Sequence, residues 1–223
     1  MARMARLVVP HHPHHLTQRG NRRQPVFYSD EDYRAYLALV RDACDAARTS
    51  VLSYCLMPNH VHFLLVPDDA DGLRGAIAEA HRRYTRRVNF REGWRGHLWQ
   101  GRFGSVVMDE AHLAAAIPYV ELNPVRAGLC ACASDWPWSS AGSYELDARG
   151  PLVDREMLEW LLPKYDSREV MPAEGEADAI RQHTRTGRPL GDESFIGRLE
   201  AISGRALKPR PPGPRPGTGV DDD

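Results

Sequence analysis

The chain has 223 residues, is 42% hydrophobic and 26% charged, and carries a net charge of −1, which fits one sizeable folded domain plus an appendage and excludes a bulk polycation or polyanion. No apolar run is long enough to span a membrane, and His11 to His15 cut the short Leu7-Val8-Val9 run before it forms a signal-peptide core, so no membrane partner is expected. Cys44, Cys55, Cys130 and Cys132 form no C-x-x-C pair, which argues against a zinc knuckle or dithiol redox motif and for reduced thiols in a cytoplasm.

The first predicted element is a strand at Leu16-Thr17-Gln18-Arg19, ended by Gly20-Asn21. Ser29-Asp30-Glu31-Asp32 reads as a helix start with a capping-box-like acid three residues on, and Tyr33, Tyr36, Leu37, Val40 and Cys44 follow at helical spacing. A strand over Ser50 to Leu56, a turn at Met57-Pro58-Asn59 and a strand from His60 to Val66 predict a hairpin. A helix is expected from Leu73 to Asn89, ending near Gly93, then a strand within Gly101 to Met108. Asp109 caps a further helix, with Glu110 in its first turn and Gly128 just past its end.

Strand, helix, strand, strand, helix, strand, helix is the order of an α+β, ferredoxin-like split β-α-β sandwich with a central antiparallel sheet. Beyond Trp136-Pro137-Trp138-Ser139-Ser140 the pattern changes. Short helices at Met157 to Leu162 and from Asp192 or Glu193 to Ile202 predict a C-terminal helical extension. The expected divisions are a domain over 5–145, the extension over 146–204, and a Pro/Gly/Arg-rich disordered tail over 205–223.

Three places carry chemistry. His60-Val61-His62 lies on a predicted strand, where successive side chains alternate, so both histidines share one face. Two imidazoles side by side make half of a metal site, although a bare H-x-H is more often a satisfied buried pair. Tyr119 and Asn123 are four residues apart, one turn along the last predicted core helix. A divalent ion held by two imidazoles and an amide oxygen keeps positions open for phosphate oxygens, and a phenol can attack phosphorus to give a covalent intermediate. Almost all basic residues are arginine, with Lys164 and Lys208 the only lysines. Arg82, Arg83, Arg86 and Arg87 cluster on one helix with Tyr84, Phe90, Trp94 and Trp99 interleaved nearby, the mixture that tracks phosphates and stacks unpaired bases. Arg102 continues that stretch, and Arg19, Arg22 and Arg23 form a second patch.

Thr17-Gln18-Arg19-Gly20-Asn21, His60-Val61-His62 after Leu-Met-Pro-Asn, Leu98-Trp99-Gln100-Gly101-Arg102-Phe103, Tyr119-Val120-Glu121-Leu122-Asn123-Pro124-Val125-Arg126-Ala127-Gly128-Leu129 and Trp136-Pro137-Trp138-Ser139-Ser140 occur in order. Together they resemble the REP-associated tyrosine transposases, single-tyrosine HUH enzymes that act on single-stranded DNA. The resemblance covers about residues 5 to 145, with a weaker likeness at Thr186 to Gly191. It implies that His60, His62 and Asn123 bind Mg2+ or Mn2+ and that Tyr119 is the nucleophile, attached to the 5′ side of the cut with a free 3′-OH left to rejoin strands. It implies single-stranded or hairpin DNA as partner, a monomer or homodimer, and a place in the cytoplasm at the nucleoid.

Pro13-His14-His15 matches the family pattern, and these histidines read as strand-edge or DNA-proximal residues rather than ligands. Pro118 departs from it. Proline inside a helix removes a hydrogen bond and clashes with the carbonyl four residues back, which predicts a kink that re-aims Tyr119. A hairpin-binding protein with impaired chemistry is therefore the alternative reading. A histidine-triad hydrolase is disfavoured because the third histidine of H-x-H-x-H is replaced by Leu64.

Overall fold

In the computed structural model, which describes residues 5–142, 152–163 and 175–208, four strands form one antiparallel sheet: β1 (His14–Arg19), β2 (Thr49–Met57), β3 (His60–Pro67) and β4 (Gly104–Val107), in the spatial order β2-β3-β1-β4. The crossovers are α1 (Asp30–Ala46) between β1 and β2, and α2 (Glu79–Glu92), opened by a π turn over Arg74–Ala78, between β3 and β4. This is the expected α+β split β-α-β sandwich. β1 starts two residues earlier than predicted, and residues 101–103 precede β4 rather than join it. β1 is a central strand, so His14 and His15 are not at a sheet edge, as had been expected from the sequence. The motif at Trp99 supplies the reason: Gly20 bridges Trp99 and Gln100 N–H donates to Arg19 O, which continues the β4 side of the sheet past β1.

The two sheet faces bury different cores. Leu16, Tyr54, Phe63 and Leu65 pack against Tyr36, Leu37 and Val40 of α1 and Tyr84 and Val88 of α2. Leu64, Val66 and Val106 pack against α3 (Glu110–Glu121) through Leu113, Ile117 and Val120. A bulge in β2 lets Leu52 join that second core. His60 and His62 share the parity of Leu64, which puts them on the α3 face. Asp109 caps α3 by accepting from His112 N–H at 2.9 Å, as expected.

The last core helix does not run unbroken to Gly128. It stops at Glu121, Leu122 leaves the helical region with ψ near 4°, and α4 (Asn123–Arg126) follows. Pro124 is the cause, because it has no N–H for the Val120 carbonyl. Asn123 Nδ2 takes over that role and donates to Val120 O at 3.0 Å and Tyr119 O at 3.1 Å. Pro118, by contrast, produces no break, and α3 continues through it.

The extension supplies α5 (Arg155–Leu161), α6 (Glu176–Thr186) and α7 (Glu193–Ser203). The first and last match the predicted segments, and α6 was not foreseen. Ile180 of α6 enters the α3 core. Leu190 bridges Met108 in parallel and takes up the edge beside β4, while residues 138–140 hydrogen-bond along β2. Both sheet edges are thereby covered, which blocks pairing with other chains. Of the expected tail, residues 205–208 pack back on the chain: Leu207 is buried and Arg205 donates to the carbonyls of Ala5 and Arg6. Residues 209–223 and the expected division at 145/146 lie outside the described residues. No helix among the described residues is long and apolar enough to cross a membrane.

Candidate active site

The hairpin turn at Pro58-Asn59 is pinned from below. Pro58 O accepts from Val26 N–H and Asn59 O from Gly20 N–H, both at 2.8 Å. Gly20 is needed for that approach, since a Cβ there would sit 2.3 Å from Gln24 O. His60 opens β3 directly after the turn, and His60 Nδ1 lies 2.6 Å from Asn59 Oδ1. His62 follows on the same face, its ring 5.1 Å from that of His60. Its Nδ1 lies 3.0 Å from Nε2 of His15, which is buried on β1. His15 in turn meets Thr184 Oγ1 of α6 at 3.1 Å. His14 faces the other way and is a satisfied structural residue: Nε2 accepts from Val9 N–H and Nδ1 pairs with His12 O.

Tyr119 reaches this cluster from α3. Its ring stands edge-on to His15 at 5.8 Å and to His62 at 6.3 Å. Pro118 does not interrupt the helix that carries the tyrosine. Two guanidinium groups cover the tyrosine ring, Arg126 at 4.7 Å and Arg181 of α6 at 5.9 Å. Arg126 also donates to Tyr119 O. Sequence reasoning missed His15, Thr184, Arg126 and Arg181. Arg126 stands inside a quoted motif and His15 inside Pro-His-His, but nothing local marks Thr184 or Arg181.

The donor set suits a divalent cation. Burial, then the charge of Arg19, lowers the His60 pKa to about 4. Burial alone lowers His15 to about 4, and burial followed by its neighbours His15 and His60 holds His62 well below its usual value. At neutral pH these imidazoles are uncharged and have lone pairs to give. Each of His60 and His62 has Nδ1 engaged, and no hydrogen bond to either Nε2 is found among the described residues. Among the described residues no three His, Cys, Asp or Glu side chains are placed to hold one metal ion together, so any third protein donor has another chemistry. Asn123 opens α4 and spends its Nδ2 on the last carbonyls of α3, which leaves its amide oxygen as the remaining donor.

The predicted DNA-binding arginines divide into two groups. Arg19 is the cross-strand partner of His60, so the two share the active face. Arg22 and Arg23 are exposed just beyond it, with φ of 53° and 62°, a left-handed pair uncommon for non-glycine residues and held by Asn59 Nδ2 donating to Arg23 O. Arg102 is exposed in the loop before β4. Arg82, Arg83 and Arg87 lie on α2, in the layer across the sheet from Tyr119, and meet Glu79, Asp42 and Glu31. Arg86 joins no ion pair among the described residues. Of the interleaved aromatics, Tyr84 and Trp99 are core, whereas Phe90 is 91% exposed and Trp94 46%.

Known proteins supply independent findings. A Haemophilus influenzae protein named "Putative REP-associated tyrosine transposase" is 27% identical over 124 residues, 51% of this chain and 68% of that one. An Escherichia coli REP-associated tyrosine transposase is 23% identical over 109 residues, 46% of this chain and 64% of its own length. In fold, the chain is similar to a solved REP-associated tyrosine transposase bound to a REP hairpin, with a TM-score of 0.51 and 21% identity over 69% of this chain and 94% of that one. The model of the family described as "Transposase IS200 like" matches residues 8–123. That match takes in His15, both β3 histidines, Tyr119 and Asn123 and covers more than half of the sequence: the chain belongs to the IS200-like transposase family.

Proposed function

We propose that this chain is a transposase that cuts and rejoins single-stranded DNA at palindromic hairpins through a covalent tyrosine intermediate. The observation that carries the reading is the position of Tyr119, edge-on to His15 and His62 despite the proline before it. His60, His62 and Asn123 would hold Mg2+ or Mn2+. When bound, that ion supplies Lewis-acid polarisation of the scissile phosphate.

The remaining work belongs to the chain. The Tyr119 hydroxyl gives its proton to solvent and its oxygen attacks phosphorus, a bond from phosphorus to Tyr119 forms, and the bond from phosphorus to the 3′ oxygen breaks, that oxygen taking a proton from solvent. The product is a 5′-phosphotyrosine and a free 3′-OH, and the same steps in reverse rejoin strands. Arg126 and Arg181 place positive charge over the tyrosine ring, which attracts the phosphate and offsets the charge that gathers on it. Arg19, Arg22, Arg23 and Arg102 lead DNA to this face. Arg82, Arg83, Arg86 and Arg87, with Phe90, would carry more distant strand segments on the far layer. Tyr119 meets histidines of its own chain, which supports a monomer as the working unit.

The test is incubation with labelled hairpin oligonucleotides and Mn2+, resolved on a denaturing gel. A protein–DNA adduct is expected with the native chain and none with Tyr119→Phe, which keeps hairpin binding within about twofold. Lack of an adduct across a broad hairpin panel, with binding intact, would instead favour the impaired hairpin-binding protein.

A further inference from the structure

His15 has no task in strand cleavage as described, yet its surroundings are specific. It is 1% exposed, its Nε2 is 3.0 Å from His62 Nδ1, and its Nδ1 is 3.1 Å from Thr184 Oγ1. The His15 and His62 rings are within 8° of parallel. A neutral imidazole has one donor nitrogen and one acceptor nitrogen, so this row has two self-consistent states. In one, His62 Nδ1–H donates to His15, His15 Nδ1–H donates to Thr184, and His62 Nε2 carries a lone pair. In the other, the Thr184 hydroxyl donates to His15, His15 Nε2–H donates to His62, and the His62 proton sits on Nε2. Mixed states set two protons or two lone pairs against each other. His60 has no such ambiguity. Asn59 Nδ2 donates to Arg23 O, so Asn59 Oδ1 faces His60 and His60 Nδ1 must be the donor.

We propose that His15 and Thr184 act as a tautomer lock that keeps the His62 proton on Nδ1 and its Nε2 free for a divalent cation. His15 is then a positioning residue, and α6, from the extension, is part of the metal site. The inference rests on the reading of His60 and His62 as ligands. A group hydrogen-bonded to the far nitrogen of a metal-binding imidazole fixes its tautomer, and its loss costs about 10–100-fold in metal affinity. Linkage adds a second consequence. A cation that binds only the first state draws the whole row into it.

The test is Mn2+ titration by calorimetry on the full chain, with 15N-histidine NMR of the tautomers in the metal-free protein. His62→Ala is expected to abolish binding. His15→Leu is expected to weaken it about 10–100-fold. His15→Gln, whose amide oxygen can accept from His62 while its NH2 faces Thr184, is expected to restore most of the affinity. Thr184→Val, at a half-buried helix position, is expected to leave a foldable protein with a mixed His62 tautomer. In the native chain His62 should be protonated on Nδ1. Native affinity in His15→Leu, or an unchanged tautomer in Thr184→Val, overturns the lock while leaving the ligand assignment intact. Native Mn2+ affinity in both His60→Ala and His62→Ala overturns the ligand assignment and the lock with it. If His15→Leu fails to fold, the His15→Gln affinity and the Thr184→Val tautomer decide the matter.

Discussion

Asn123 shows how one side chain can mend a backbone and still keep an atom to spare. Its Nδ2 satisfies the two carbonyls that Pro124 and the helix break leave open, and this fixes where its oxygen is free. Asn123→Ala is expected to cost about 1–3 kcal/mol of stability by removing the side-chain donor to Val120 O, while Tyr119 O keeps Arg126, measured by urea unfolding, and to weaken Mn2+ binding in the same protein. Asn123→Asp removes the same donors, so an equal loss of stability with retained metal binding would separate the two roles. His60, His62 and Tyr119 were legible in the sequence because strand alternation and a helical offset fix a face whatever the tertiary context. The break at Leu122 was not, because a proline can equally open a new helix or be tolerated within one, and the choice depends on the donor that replaces its N–H. His15 was legible as a motif residue but not as a partner of His62, because that contact depends on the register Thr17↔His62.

Among the elements, α3 tolerates a residue that ordinarily breaks helices. A proline three positions before its end was expected to bend it, yet it spans Glu110–Glu121 without a break. The carbonyl denied a donor belongs to Ala114, which is half-buried, and Ile117 and Val120 hold the far turn in the core. Pro118→Ala is therefore expected to stabilise the protein by about 1–3 kcal/mol, seen as a higher midpoint in thermal or urea unfolding, with little change in adduct yield. A large gain in adduct yield would mean that the proline does displace Tyr119. The strands and α1 were readable from periodicity. α6 was not: its Ala177, Ala179 and Ile180 make a weak apolar stripe, and its meaning lies in contacts with α3, β4 and β1. The α2 arginines looked like a continuous basic face because the acids of α1 that meet them are distant in sequence.

At the scale of the whole molecule, buried histidines set the response to acid. Burial, the largest influence on each, lowers His14 and His81 to about 3 and His15 to about 4. Unfolded, the same groups take up protons near pH 6.5. Between about 6.5 and 4 the unfolded chain thus holds more protons than the folded one, so stability is full above 6.5 and falls as pH drops. The three together give a slope of up to about 4 kcal/mol per pH unit, and urea midpoints between pH 7.5 and 4.5 are expected to fall steeply below 6.5. A flat profile would mean these side chains are hydrated. A different consequence follows from the span between His15 and Thr184, 169 positions apart. Contacts that close such long loops form late in folding. On a ribosome that releases about 5–20 residues per second, β1 waits roughly 10–30 seconds for α6 to be synthesised. The row that ends at His62 is thus completed only after Thr184, far downstream of β1, has left the ribosome.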